Sequence, residues 1–220
     1  MVRRNSLGYG VFFSTIKHSD LKAINNINCE RGMMRIKSIV QNFVFKFKMN
    51  DLNMGEIDYT DDENETSFPV NLNGEIRFFY SHLILNDHPT FDGTFFIQIV
   101  ESQELNEMLS GWRVQNDTTW RDEYIIFAER NGDVLFCDTQ NITSPVYGSI
   151  QKRNFIISNS LADFLDAFCS AIEIEQSKYD GDATDDDFNF REDFLEDIDL
   201  MLKSKLKDVE VEAFKYFFFG

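Results

Sequence analysis

The sequence predicts an α+β fold, a mainly antiparallel sheet flanked by helices. Three observations predict it. Tyr124–Ala128 and Val134–Cys137 are apolar runs with Asn131–Gly132 between them. Asn-Gly is the strongest short hairpin signal because both positions tolerate positive φ. Thr94–Val100 and Pro145–Ile150 are further strand-like runs, rich in aromatic and β-branched residues. Between and around them, apolar residues recur at the helical period of 3.6.

Residues 1–32 show no periodicity and carry Gly8, Gly10 and an Asn-rich stretch, Asn25–Asn28. They are expected to form a loosely ordered extension, with the domain beginning at Met33. Ile36, Ile39, Val40, Phe43, Val44 and Phe47 then follow the helical period through three turns and predict an amphipathic helix. Its basic residues Arg35, Lys37, Lys46 and Lys48 read as the solvated face. Residues 50–66 are polar and acidic and are expected to be a loop. Ile76, Phe79, Tyr80 and Leu83 predict a helix over 74–85, ended by Asn86 and His88–Pro89.

Thr94–Val100 is the first predicted strand, followed by a short helix around 102–110. Pro145 opens the third strand of the later group, a position where its missing N–H is tolerated. Phe155–Ile157 is a short fourth. Ser160 precedes Leu161, Phe164, Leu165, Phe168 and Ile172, with Asp163 three residues on, and predicts a capped helix. Residues 180–199 hold ten Asp/Glu against one Arg. Phe194, Leu195, Ile198, Met201, Leu202, Leu206 and Val209 give the second half of this zone a helical pattern. Phe214, Phe217 and Phe218 are expected to pack back on the domain, because a free apolar tail invites aggregation. The predicted organisation is an extension over 1–32, a domain over 33–177 and an acidic helical extension over 178–220.

The 220 residues suit one domain with extensions. Phenylalanine occurs 23 times, so the expected core is aromatic. Acidic residues number 38 against 21 basic, a formal charge of −17. That acidity argues against a nucleic-acid surface, which needs Lys/Arg clusters. The charge is uneven: residues 1–50 hold nine Lys/Arg and two Asp/Glu, and the remainder is strongly acidic. No apolar run approaches the roughly 18 residues a membrane span needs, and no secretory pattern follows Arg3 and Arg4. Cys29, Cys137 and Cys169 are odd in number and far apart, which predicts free thiols and a cytoplasmic setting.

Motifs of chemistry are not found. His18, His82 and His88 are the only histidines, and no Cys or His pair has metal-ligand spacing. Phosphate-loop, dinucleotide and nucleophile-elbow patterns are missing. A calcium loop starting at Asp180 would place Asp185 at the turn-glycine position and Arg191 at the bidentate-Glu position, and one starting at Asp182 fails similarly. No catalytic residue, metal or cofactor is assigned. Two readings of the acidic run stand: a solvated linker with helix-start acids, which complement the helix dipole, or a face for a basic partner.

From residue 69 the order of short segments resembles the SUKH superfamily, which includes many bacterial immunity proteins and a yeast cell-wall-synthesis regulator. The segments are Pro69 through Phe79–Tyr80, then Trp120 through Tyr124–Ala128, Gly132–Asp133 and Asp138. After these come Pro145–Val146–Tyr147 and Ile156 through Ser160, Phe164 and Leu165. They cover about 69–173. Phe68–Pro69 stands where the family has Leu-Pro. Trp120, Gly132, Asp133, Asp138 and Tyr147 are the markers. Each also has a structural use: a core anchor for Trp120, positive φ for Gly132, turn capping for the two aspartates.

The resemblance implies a SUKH-like fold and binding in place of catalysis. The leading expectation is an intracellular immunity protein that neutralises a cognate toxin by direct contact, nucleases being among the toxins that the family's members neutralise. A regulator or scaffold of the same fold is the alternative, and an enzyme using surplus carboxylates is a third. The expected partner is a basic toxin domain, with neither nucleic acid nor membrane involved. The expected face is Asp180, Asp182, Asp185, Asp186, Asp187, Glu192, Asp193, Glu196 and Asp197, since an acidic patch complements a basic groove and speeds association.

Overall fold

A computed structural model describes residues 18–63, 67–112 and 120–220. The chain divides into two compact units, Met1–Met34 and Arg35–Gly220. The described part of the first unit is helical: α1 runs His18–Met49 and crosses the boundary. Residues 18–32, expected to be loose, are therefore helical, while 1–17 lie outside the described residues. The sequence gives no sign of this because the stretch lacks an apolar stripe.

The second unit is built on a seven-stranded antiparallel meander in which spatial order equals chain order. The strands are β1 Met54–Tyr59, β2 Leu83–Phe91, β3 Ile97–Ile99, β4 Tyr124–Arg130, β5 Asp133–Asp138, β6 Val146–Ile150 and β7 Arg153–Ser158. The helices are α2 Gly74–His82, α3 Leu105–Trp112, α4 Leu161–Tyr179, α5 Glu192–Lys205 and α6 Asp208–Phe219. The predicted fold class holds, and so does the hairpin: Asn131 (φ 52) and Gly132 (φ 88) form the turn that closes on the Arg130–Asp133 pair. Ser160 caps α4, its hydroxyl accepting from the Asp163 N–H at 2.9 Å.

Three strands differ from expectation. Of the predicted Thr94–Val100 only Ile97–Ile99 is strand, because Thr94 and Phe95 lie in a turn closed by the Phe96 N–H on the Gly93 carbonyl. β1 lies in the stretch read as a loop. It is an edge strand with only Ile57 buried, so polar residues are tolerated and the apolar alternation is missing. The predicted helix over 74–85 stops at His82, and Leu83 through Pro89 belong to β2. Tertiary pairing with β1 overrides the local helical spacing of Leu83, which sits opposite Tyr59. Gly74 starts α2 with φ +62, and a Cβ there would lie 2.1 Å from the Ile142 carbonyl oxygen. That carbonyl accepts from the Glu75 N–H, and the Ser144 hydroxyl accepts from the Ile76 N–H, so the start of α2 is satisfied by the 142–144 turn.

One sheet face carries the helices. Phe43 of α1, Phe79 of α2, Phe164 and Phe168 of α4, and Phe214 and Phe218 of α6 are fully buried with Phe91, Phe95 and Phe127. Ring centroids lie 4.7–6.3 Å apart, many edge to face, the geometry in which aromatic pairs attract beyond their area. The predicted stripe of α1, Ile36 through Phe47, is buried along this layer. Residues 178–220, set apart by their charge, are integral to it: Phe194, Phe214, Phe217 and Phe218 are all buried, as their clustering predicts for the last three.

The basic face of α1 is not left free in solvent. Arg35 pairs with Asp163 at 2.5 Å, Lys37 with Asp61 at 2.8 Å, Lys46 with Glu173 at 2.7 Å, and Lys48 with Asp58. These four cations of α1 are thus matched by acids of β1, its following loop and α4.

Replacing Phe168 by Ala should cost about 3–5 kcal/mol, because the ring touches Phe43, Phe91, Phe95, Phe164 and Phe218. Urea unfolding measures this, and a midpoint like that of the parent would refute the packing described. A second expectation concerns pH. Burial raises the Glu75 carboxyl to about 7, although the Ala162 N–H at 2.8 Å favours its charged form. A carboxyl whose folded pKa exceeds its unfolded value of 4.5 disfavours the fold once ionised. Its contribution is intact below pH 4.5 and is lost as pH rises through about 7. Glu75→Gln keeps an acceptor for Ala162 and removes the charge. It should stabilise the fold at pH 8 by about 1–2 kcal/mol after solvent screening, with little change at pH 4; equal melting curves at pH 8 would sink the assignment.

Candidate functional site

The acidic residues converge on one surface, formed by the end of α4, the 180–191 loop and the first turns of α5. Asp180 ends α4 in the left-handed conformation, its N–H bonded to the Glu175 carbonyl. The chain then doubles back: Thr184 bridges Phe190, and the Asp185 N–H donates to the Asn189 carbonyl at 2.8 Å. The Asp185 carboxylate accepts from the N–H groups of Asp187 and Asn189, both at 2.9 Å. This loop is therefore a built turn and not a slack linker.

The nine predicted acids separate into two sets. Asp185, Asp193 and Asp197 have structural duties. Asp193 takes a two-pronged contact from Arg191 and accepts from the Phe194 N–H. The Arg191 bond holds its carboxyl below the usual range against desolvation. Asp197 accepts from Lys178 and from the Tyr179 hydroxyl, which lowers its pKa in turn. Asp180, Asp182, Asp186, Asp187, Glu192 and Glu196 are exposed, and none makes an ion pair among the described residues. The cations nearest in sequence, Lys178 and Arg191, are already engaged.

At the loop tip stands Phe188, 89% exposed with φ +63. A bulky residue in that region is an outlier. Sequence reasoning missed it. The signal was there: a phenylalanine between Asp187 and Asn189, outside the helical period that begins at Phe194.

Of the residues that carry the SUKH resemblance, Trp120, Asp138 and Tyr147 meet on the other sheet face. Phe136 sits opposite Ile126 and Tyr147, and Tyr147 opposite Ile156, so these share that face. The Phe136 ring is met by Trp120 at 4.7 Å, by Tyr124 at 4.9 Å and by Tyr147 at 5.1 Å. Arg121 lies over the Tyr124 ring and donates to Asp138 at 2.6 Å. Asp138 also accepts from the Gln140 N–H. Asp133 accepts from the Gln151 N–H and links the β4–β5 turn to the β6–β7 turn. Gly132 supplies positive φ. Trp120, Asp138 and Tyr147 are thus brought together, while Gly132 and Asp133 stand at the hairpin.

Tyr124, Phe136, Tyr147, Phe155 and Ile156, with Lys152, Arg153 and Asn154, line a groove of about 590 Å³ beside these markers. Gln151 and Lys152 both have positive φ. Neither is Gly or Asn, which is why this second tight turn, and the cations it presents, escape a sequence reading.

Cys137 and Cys169 are buried, and burial pushes both thiols up, away from the thiolate that a nucleophile needs. His82 is buried against Phe78 and Tyr59 with Nδ1 2.9 Å from the Thr60 carbonyl. Among the described residues no group of three or more His, Cys, Asp or Glu is placed to hold a metal ion. No helix among them is long and apolar enough to cross a membrane. The side chains of His18 and Cys29 lie outside the described set. The chain matches no protein-family model and no curated protein.

The two sets of acids should respond differently to substitution. Asp186→Asn with Asp187→Asn should leave the thermal midpoint unchanged or raise it, because it relieves repulsion between unpaired charges. Asp197→Ala should lower the midpoint by severing α5 from Lys178 and Tyr179. A loss of stability in the first variant equal to the second would refute the division.

Proposed function

We propose that the protein is a non-catalytic binding protein of the SUKH kind that neutralises a cognate toxin domain in the cytoplasm by direct contact. Its partner is basic, and the binding face is the set Asp180, Asp182, Asp186, Asp187, Glu192 and Glu196. One observation carries the reading: these carboxylates are exposed and unpaired on an ordered turn, while the acids around α1 are matched by cations. Unpaired like charges held together repel one another, and a basic surface relieves that repulsion. Screening over about 8–10 Å at physiological salt confines the effect mainly to the association rate.

The face gives up little order on binding, because the Asp185 turn and α5 hold it. Asp185, Asp193 and Asp197 support the face without facing the partner, which revises the nine-residue set to six.

The test begins with co-expression of the chain and a toxin domain encoded beside it, scored by cell survival. Rescue is expected. Neutralising Asp182, Asp186, Asp187, Glu192 and Glu196 to their amides should slow association with that domain by about ten-fold and flatten its salt dependence, with the melting curve retained. Unchanged association and salt slope would remove the acidic face from the proposal.

A further inference from the structure

Two exposed features remain unexplained by the fold. One is Phe188, an aromatic ring held in solvent and preceded by Asp186 and Asp187. The other is the aromatic groove lined by Tyr124, Tyr147, Phe155 and Ile156 over the buried Phe136, with Lys152 and Arg153 beside them. The loop is acidic and the groove is flanked by cations, and both are aromatic.

We propose that the protein associates head to tail with a second copy of itself, Phe188 of one copy seating in the aromatic groove of the next, with Asp186 and Asp187 facing Lys152 and Arg153. A groove of about 590 Å³ has room for a phenylalanine ring, and aromatic rings meeting a tyrosine-lined wall gain beyond the area they bury. The rim cations are available. Arg153 is exposed and makes no ion pair among the described residues. Among the described residues Lys152 meets the Trp112 carbonyl at 3.4 Å and that residue's ring, and no acid. In a chain of −17, a local pair of uncompensated cations beside an apolar floor selects an acidic, aromatic ligand, and the 185–188 loop has that chemistry.

The loop is also prepared for insertion. Asp185 fixes its backbone through Asp187 and Asn189, and the Phe188 N–H donates to the Asp185 carbonyl at 3.0 Å. Little conformational freedom remains to be lost on contact. Because loop and groove are different surfaces, the contact is heterologous, so it grows into a ring or an open chain and does not stop at a symmetric pair. The net charge of each copy opposes it, so the association is weak and shows at high protein concentration. Asp186 and Asp187 also belong to the proposed toxin-facing set, so the two contacts compete for this loop; the groove holds none of that set, and Lys152→Glu with Arg153→Glu leaves it intact.

Sedimentation of the full chain from about 10 µM to about 1 mM at physiological salt tests this. The weight-average mass should rise from the 25.7 kDa monomer towards the dimer and beyond. Phe188→Asn, which keeps a residue that accepts positive φ, removes the insert. Lys152→Glu with Arg153→Glu removes the seat. Each variant alone should stay monomeric at every concentration, and an equimolar mixture should form a 1:1 dimer that does not grow further. Melting curves check that both variants fold. A monomeric parent chain at about 1 mM, assembly by either variant as strong as the parent's, or a mixture that stays monomeric would each overturn the proposal.

Discussion

The phenylalanine layer beneath the sheet is the constraint on which the rest depends. Phe168 touches rings from α1, β2, the turn before β3, and α6, and its neighbour Phe164 meets Phe127 and Phe214. Rings are rigid and planar, so a layer made of them accepts few arrangements at interior density. The C-terminal helix is part of that layer and not an addition to it. This is why an acidic segment that looks separable by charge is inseparable by packing. The acids of α5 are exposed because Phe194, Ile198 and Leu202 turn the opposite side of the helix inward.

Buried carboxylates tie this layer to the backbone around it. Glu175 accepts from the Thr94 N–H, while Arg130 donates to the Thr94 and Phe218 carbonyls. Glu210 accepts from the N–H groups of Asn159 and Lys207, joining α6 to the turn before α4. Glu75 does the same for α2 and the start of α4. Desolvation raises the pKa of Glu75 and Glu175, the cost of placing a carboxylate in an apolar layer. Each is offset by backbone donors that would otherwise lack partners.

Beyond these acids and the partners of α1, the 180–196 surface gathers six exposed carboxylates that make no ion pair among the described residues. Its turn is ordered by Asp185, so the charge is presented on a fixed shape. On the other sheet face Arg121, paired with Asp138, and Lys152 and Arg153 stand beside the aromatic residues. The buried thiols and His82 pack in the interior.

Much of this was legible in the residues. The Asn131–Gly132 turn, the Ser160 cap, the stripe from Ile36 to Phe47 and the inward packing of Phe214, Phe217 and Phe218 follow from local chemistry: φ tolerance, a short side-chain acceptor and helical spacing. These signals are carried within a few residues of one another. The tertiary structure alone decided the rest. β1 has no pattern of its own, because an edge strand is ordered by its neighbour. Leu83 leaves a helical spacing for a strand because pairing across the sheet outweighs propensity. Acid number is written in the sequence, but which carboxylates are bound to backbone, which are paired and which are free depends on groups brought together from 19 to 128 residues away, as Asp197 with Lys178 and Asp163 with Arg35 show. Charge acts through space, and its partners are set only when the chain has packed.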